Sequence, residues 1–286
     1  MYWVFLLAGA ALTQFAYWVE KRPHPRSHFR SMALAAAGDL SMMTAMAWIF
    51  TTTMPTWHGL PVACAPGLAA ILMLMDLGVR SRDKGAMPAV RSASLTPRPP
   101  VAALTPDRFI RLVLLGTVII VGSIILGQGS SAAEDGLFTA YTYVSSQGPV
   151  IVQPYPGWLF TFSLIGLLPL LYLSSWLAAR RVNLLPVLFT DPTQDIVWRG
   201  RLGELVLRVL EAGLLSEIGV LLWMLGPLFQ TIGADGGTAF GAPAGAFGMA
   251  LQGAAVILWT VAAVRVAHQT VRVRSAILPQ PALQAA

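Results

Sequence analysis

Two carboxylates lie where a chain this apolar has least use for a charge. Asp39 sits in AAAGDLSMMTAMAW (35–48) and Glu217 in EAGLLSEIGVLLW (211–223), each close to a serine, Ser41 and Ser216. Inside an apolar span, a carboxylate beside a hydroxyl can take up and release a proton, or bind the polar part of a small solute. The plainer role is a neutral acid that hydrogen-bonds a neighbouring helix and holds it. A charge at mid-membrane costs about 2.5–3.5 kcal/mol even on the lenient insertion scale, so either role requires the acid to face the bundle interior.

The two stretches echo one another. Aligning residue 37 with residue 212 matches Ala37-Gly38-x-Leu40-Ser41 to Ala212-Gly213-x-Leu215-Ser216, and Trp48 to Trp223 at the same offset. Glu217 then falls opposite Met42, one helical turn from Asp39 on the same face. Duplication would give each half of the molecule one carboxylate at similar depth. Chance similarity between Ala/Leu-rich helices is the competing account.

Glu204, Arg208 and Glu211 follow at spacings of four and three, which puts them on one helix face. A salt-bridged start to an apolar helix is the structural reading, and a polar entrance leading toward Glu217 is the functional one. Asp76 and Arg80 form a further i, i+4 pair of structural character.

Other chemistry is not supported. Cys64 is the single cysteine, which excludes a disulfide within the chain and a cysteine-based metal site. None of the four histidines (His24, His28, His58, His268) falls inside an apolar segment, so a haem held between spans is not expected, and no metal or other cofactor is assigned. The sequence contains no H-E-x-x-H, no G-x-S-x-G, no phosphate-binding loop and no Gly-rich dinucleotide fingerprint. No catalytic residue is assigned.

The elements that must position the two acids follow from composition. Of 286 residues, 56% are hydrophobic and 11% charged, against about 25% charged in soluble domains. The expected class is an all-α integral membrane protein. Segments near 2–19, 31–52, 59–79, 109–128, 157–178, 206–230 and 246–267 are long enough to cross a hydrocarbon core that needs about 20 residues. They lack the short alternating pattern of membrane barrels. All 19 Lys and Arg lie at 21–30, 80–111, 180–208 and 265–274, while 53–58, 129–156 and 231–245 hold none. Cytoplasmic loops concentrate such residues, which predicts an outside N-terminus, a cytoplasmic C-terminus and therefore an odd number of spans. Seven satisfies this.

The net charge of +6 thus reflects topology and anionic lipid headgroups, with no nucleic-acid partner implied. Arginine outnumbers lysine 17 to 2, a bias that suggests a GC-rich bacterial genome and hence a multi-pass protein of the bacterial cytoplasmic (inner) membrane. The start of the chain is uncharged and EKRPHPR follows the first apolar run, so a retained first helix is expected, despite a cleavage-like AGA at 8–10.

The predicted organisation is a first three-helix half at 1–79 and a basic Pro-containing cytoplasmic linker at 80–108. A linking span at 109–128 and an extracytoplasmic loop at 129–156 follow. The second half occupies 157–267, with a cytoplasmic tail at 268–286. This is a 3+1+3 plan with parallel halves, a layout met in transporters whose substrate sits between repeats. Aromatic and β-branched residues around Ser145-Ser146-Gln147-Gly148 predict a hairpin in the outer loop. An interfacial helix is expected near 191–205, capped by Asp191 with Pro192 at its first position and bending at Gly200 and Gly203. Tryptophans near span ends read as interfacial anchors, Trp158 on the outer side and Trp176 and Trp198 on the inner.

Two functions fit. One is a transporter moving a small solute, with proton coupling, through a site around Asp39, Ser41, Ser216 and Glu217. The other is a non-catalytic membrane subunit of a secretion, conjugation or respiratory assembly, whose acids meet partner helices or quinone. The expected partners are the bilayer itself and, in the second case, other membrane subunits or further copies of the chain.

Overall fold

A computed structural model of the protein describes residues 67–75, 105–132, 138–145, 148–153, 155–183, 192–234 and 241–275. The described chain is mostly helical. It comprises α1 (67–75), α2 (Pro106–Gln128), a hairpin of β1 (Tyr141–Ser145) and β2 (Gly148–Val152), α3 (Trp158–Asn183), α4 (Pro192–Ala234) and α5 (Gly241–Ser275). Three of these helices carry stretches long and apolar enough to cross a membrane: Pro106–Gln128, Trp158–Asn183 and Pro243–Thr270. The expected first and second spans, Asp39, Ser41, Asp76 and the linker up to residue 104 lie outside the described residues.

Helix α2 shows why these segments pack as they do. Thr105 caps it, accepting from the Arg108 N–H, and Pro106 opens it. Its buried residues are Leu112, Gly116, Ile119, Ser123 and Gly127, a stripe at spacings of three and four. Small side chains on that stripe let α3 approach closely. The Tyr172 hydroxyl reaches over Gly116 to donate to the Leu112 carbonyl at 2.7 Å, and Thr161 donates to the Ser123 carbonyl at 2.6 Å. Residue numbers run oppositely in these two contacts, so α2 and α3 are antiparallel. The opposite face of α2 exposes Phe109, Ile110, Val113, Leu114, Val118, Val121 and Ile125. A continuous apolar face of that kind suits lipid and not water.

Helices α4 and α5 form a second antiparallel pair. Gly219 accommodates the Trp259 indole, whose Nε1 donates to the Ser216 carbonyl at 3.1 Å. Nearer the turn, Gln230 donates to Gln252 at 2.8 Å, and Phe229 meets Phe247 edge-on at 4.9 Å between centroids. The segment expected to lie separately along the membrane surface is instead the opening of α4 itself. The helix runs unbroken through Gly200 and Gly203 for 43 residues, about 64 Å at 1.5 Å per residue. Local propensity disfavours glycine in a helix by only about 1 kcal/mol, and burial of Trp198, Leu202, Leu205 and Val206 outweighs it. Trp198 is 7% exposed. It is a core residue where an interfacial anchor was expected, because the unbroken helix turns it inward.

Helix α1 threads this bundle tightly. A Cβ on Gly213 of α4 would come within 2.9 Å of the Ala70 Cβ and 3.1 Å of Leu171. Ala70, Ile71 and Leu74 join the main core with Leu164, Leu168, Leu171, Leu210 and Leu214.

The hairpin forms where it was expected. Its strands pair antiparallel from Tyr141↔Val152 to Ser145↔Gly148, and Gly148 holds φ +125°, a conformation open to glycine. Alternation then gives it two faces. Tyr141, Tyr143, Val150 and Val152 turn to Tyr155 and to Leu225, Leu228 and Ile232 of α4, while Val144 and Ile151 point away, 81% and 57% exposed.

Candidate functional site

The described basic side chains gather at one end of the bundle. Arg108 and Arg111 open α2, Arg180 and Arg181 close α3, Arg199, Arg201 and Arg208 line the first part of α4, and Arg265 and Arg272 lie in the last turns of α5. The hairpin caps the other end. Two groups of polar residues on α4 stand between these poles.

The first group is at the arginine-rich end. Glu211, 6% exposed, receives three guanidiniums from three helices: Arg265 of α5 at 2.5 Å, Arg208 of its own helix at 2.9 Å and Arg111 of α2 at 3.5 Å. Glu204, two turns earlier on the same face, accepts from Arg108 of α2 at 2.9 Å and from Gln269 of α5 at 3.3 Å, and lies 3.7 Å from Arg208. The anticipated Glu204, Arg208 and Glu211 do share a face, and Arg208 bridges the two acids. The spacing did not reveal the partners on other helices: Arg108, Arg111, Arg265 and Gln269. Their common signal in the sequence is position, each lying at the basic end of an apolar segment.

The second group lies about 9 Å further along the helix at 1.5 Å per residue. Glu217 is 2% exposed, and neither carboxylate oxygen has a well-formed hydrogen bond among the described residues. The backbone N–H of Gly67 is the donor that faces it, and a Cβ at residue 67 would overlap Oε1. Glycine in α1 therefore makes the room that the carboxylate occupies. Ser216 is half-buried on the adjoining face, where its carbonyl is held by Trp259. Trp259 in turn lies 5.7 Å from Trp223, the tryptophan of the sequence echo. Asp39 and Ser41, the counterparts of this pair, lie outside the described residues, so the structure brings together only Ser216, Glu217 and α1.

Chemically the two groups differ. Glu211 and Glu204 are saturated with cations and hold α2, α4 and α5 in register. Glu217 carries no compensating charge among the described residues, and an isolated ionised carboxylate in such surroundings is strongly disfavoured. It can hold a proton, a cation or the donor group of a solute. No group of three or more metal-ligating side chains occurs among the described residues. Comparison with family models, with curated proteins and with solved structures matched none of them.

Proposed function

We propose that the chain is a multi-pass protein of the bacterial cytoplasmic membrane, of transporter type. It has seven spans and an outside N-terminus, and it moves a small solute through a polar site that includes Asp39, Ser41, Ser216 and Glu217. Proton uptake and release at the carboxylates drives the movement. The observation that carries this reading is Glu217: buried, without a well-formed partner among the described residues, and given room by a glycine of a neighbouring helix. A carboxylate kept only to glue helices together would be expected to meet a donor in good geometry. The gathering of described arginines at one end supports the assigned orientation.

The alternative, a non-catalytic subunit of a larger assembly, draws on the hairpin. Its outward face carries the exposed Val144 and Ile151, a surface that a partner outside the membrane could cover.

Purified protein in liposomes, on a solid-supported membrane, separates the two. Pulses of sugars, amino acids and organic ions across a pH gradient should evoke a current from the wild type. Glu217→Gln should abolish it while leaving the elution profile in detergent unchanged. Silence toward every solute class, with a protein that stays monodisperse only beside co-purifying subunits, would favour the assembly reading.

A further inference from the structure

The arginine–glutamate network holds more than its own ion pairs require. Arg108, Arg111, Leu112, Leu207, Arg208 and Glu211 line a pocket between α2 and α4. Three guanidiniums face it, while the network around it joins four arginines to two glutamates. The Arg111 side chain is 54% exposed and spends a single, long contact of 3.5 Å on Glu211. A guanidinium has five N–H donors, so most of those on Arg111 remain for another acceptor. The positive end of the 23-residue helix α2 adds to the same field. Asp107 in that first turn is exposed and is not among the lining residues. Leu112 and Leu207 are its apolar lining, and Phe109, Val113 and Leu114 are exposed on the same turns of α2.

The pocket itself has room for only about one water, so we infer that its rim, where Arg111 is exposed, binds the phosphate of an anionic phospholipid headgroup from the cytoplasmic leaflet, with the acyl chains lying along the exposed face of α2. Planar, multiply donating arginines suit phosphate oxygens, and basic pockets between spanning helices at the cytoplasmic side are the usual places for such headgroups. A soluble phosphate would use the same donors. The exposed apolar residues of α2 add surface that only a lipid can cover. The inference rests on the membrane reading and the orientation proposed above, and is independent of Glu217.

Native mass spectrometry of the full chain in detergent, titrated with phosphatidylglycerol or cardiolipin and in parallel with phosphatidylcholine, tests it. Arg111→Gln is the variant of choice, because its half-exposed side chain contributes the weakest of the three contacts to Glu211. The anionic lipids should bind the wild type in preference to phosphatidylcholine, and Arg111→Gln should weaken them about fivefold, the worth of one basic residue at a charged surface. Equal binding of all three lipids, or an unchanged affinity in Arg111→Gln, would overturn the site. So would inorganic phosphate at the same concentration displacing the anionic lipid, which would assign the pocket to a soluble anion. Failure of the membrane reading would look different, since no lipid of any class would be retained.

Discussion

At the scale of single residues, the two glutamates of α4 should respond to the same substitution in opposite ways. Glu211→Gln leaves three guanidiniums from three helices without their shared counter-charge. Breaking a buried pair costs about 3–5 kcal/mol, but Arg265 and Arg111 are 41% and 54% exposed and water takes up part of the loss. A destabilisation of about 2 kcal/mol is expected, readable as an earlier unfolding midpoint in a denaturing-detergent titration. Glu217→Gln removes no ion pair among the described residues and puts a neutral group of the same shape in its place, so it should move that midpoint less than Glu211→Gln does; on the transport reading it also ends solute movement. A large loss of stability from Glu217→Gln would mean that the carboxylate is structural after all. The acids themselves were legible in the sequence because charge is scarce there, and so was the shared face of Glu204, Arg208 and Glu211. Their cross-helix partners were not. Arg265 and Arg111 stand 54 and 100 residues from Glu211, and i, i+3 and i, i+4 reasoning cannot reach across a turn. Whether Asp39 completes a pair with Glu217 concerns residues outside those described.

Elements were legible to the extent that one physical rule governed them. The apolar runs located α2 and α3 to within three to five residues at their ends, and the Ser-Ser-Gln-Gly turn between β-branched and aromatic residues pointed to the hairpin. The opening of α4 was misjudged because two glycines suggested a bend, whereas burial of the residues around them keeps the chain helical throughout. Small residues mattered more as spaces than as flexible points. At Gly116 a Cβ would come within 2.7 Å of the Tyr172 hydroxyl. Gly116→Val should therefore push Tyr172 away and separate α2 from α3. Tyr172→Phe, which loses only the bond to Leu112, should cost about 0.6 kcal/mol, as hydrogen bonds between membrane helices do on average. Equal effects of the two would mean that the hydrogen bond, and not the close approach, joins the pair. The hairpin offers a pH test outside the membrane. Burial, and next the neighbouring Tyr141, push the Tyr155 phenol from 10.0 up to about 12. The fold thus favours the protonated form, so this contribution is complete below pH 10 and is lost as pH rises through 12. Tyrosinate absorbance at high pH should lose a late-titrating component in Tyr155→Phe.

For the whole molecule, orientation is the property on which the rest depends. In a Cys64→Ser background, Thr142→Cys in the hairpin should react with a membrane-impermeant maleimide added to intact spheroplasts. Arg181→Cys should react only after the membrane is opened. The reverse pattern would invert the topology and move the arginine pocket to the outer leaflet. Composition and the distribution of basic residues predicted this polarity from the sequence, since both are sums over many residues and tolerate local error. The proposed repeat rested on five identities between two helices, one of which lies outside the described residues, so no comparable averaging protects it. One feature of α4 ties the two ends of the molecule together. The same 43-residue helix carries Glu204 and Glu211 among the arginines and, some 20 residues later, Leu225 and Leu228 under the hairpin. Between those two leucines sits Pro227, and a proline inside a helix removes a backbone hydrogen bond and favours a bend. A tilt of the arginine end therefore reaches the hairpin through a joint at its foot, where the two surfaces of the molecule can be set at an angle to one another.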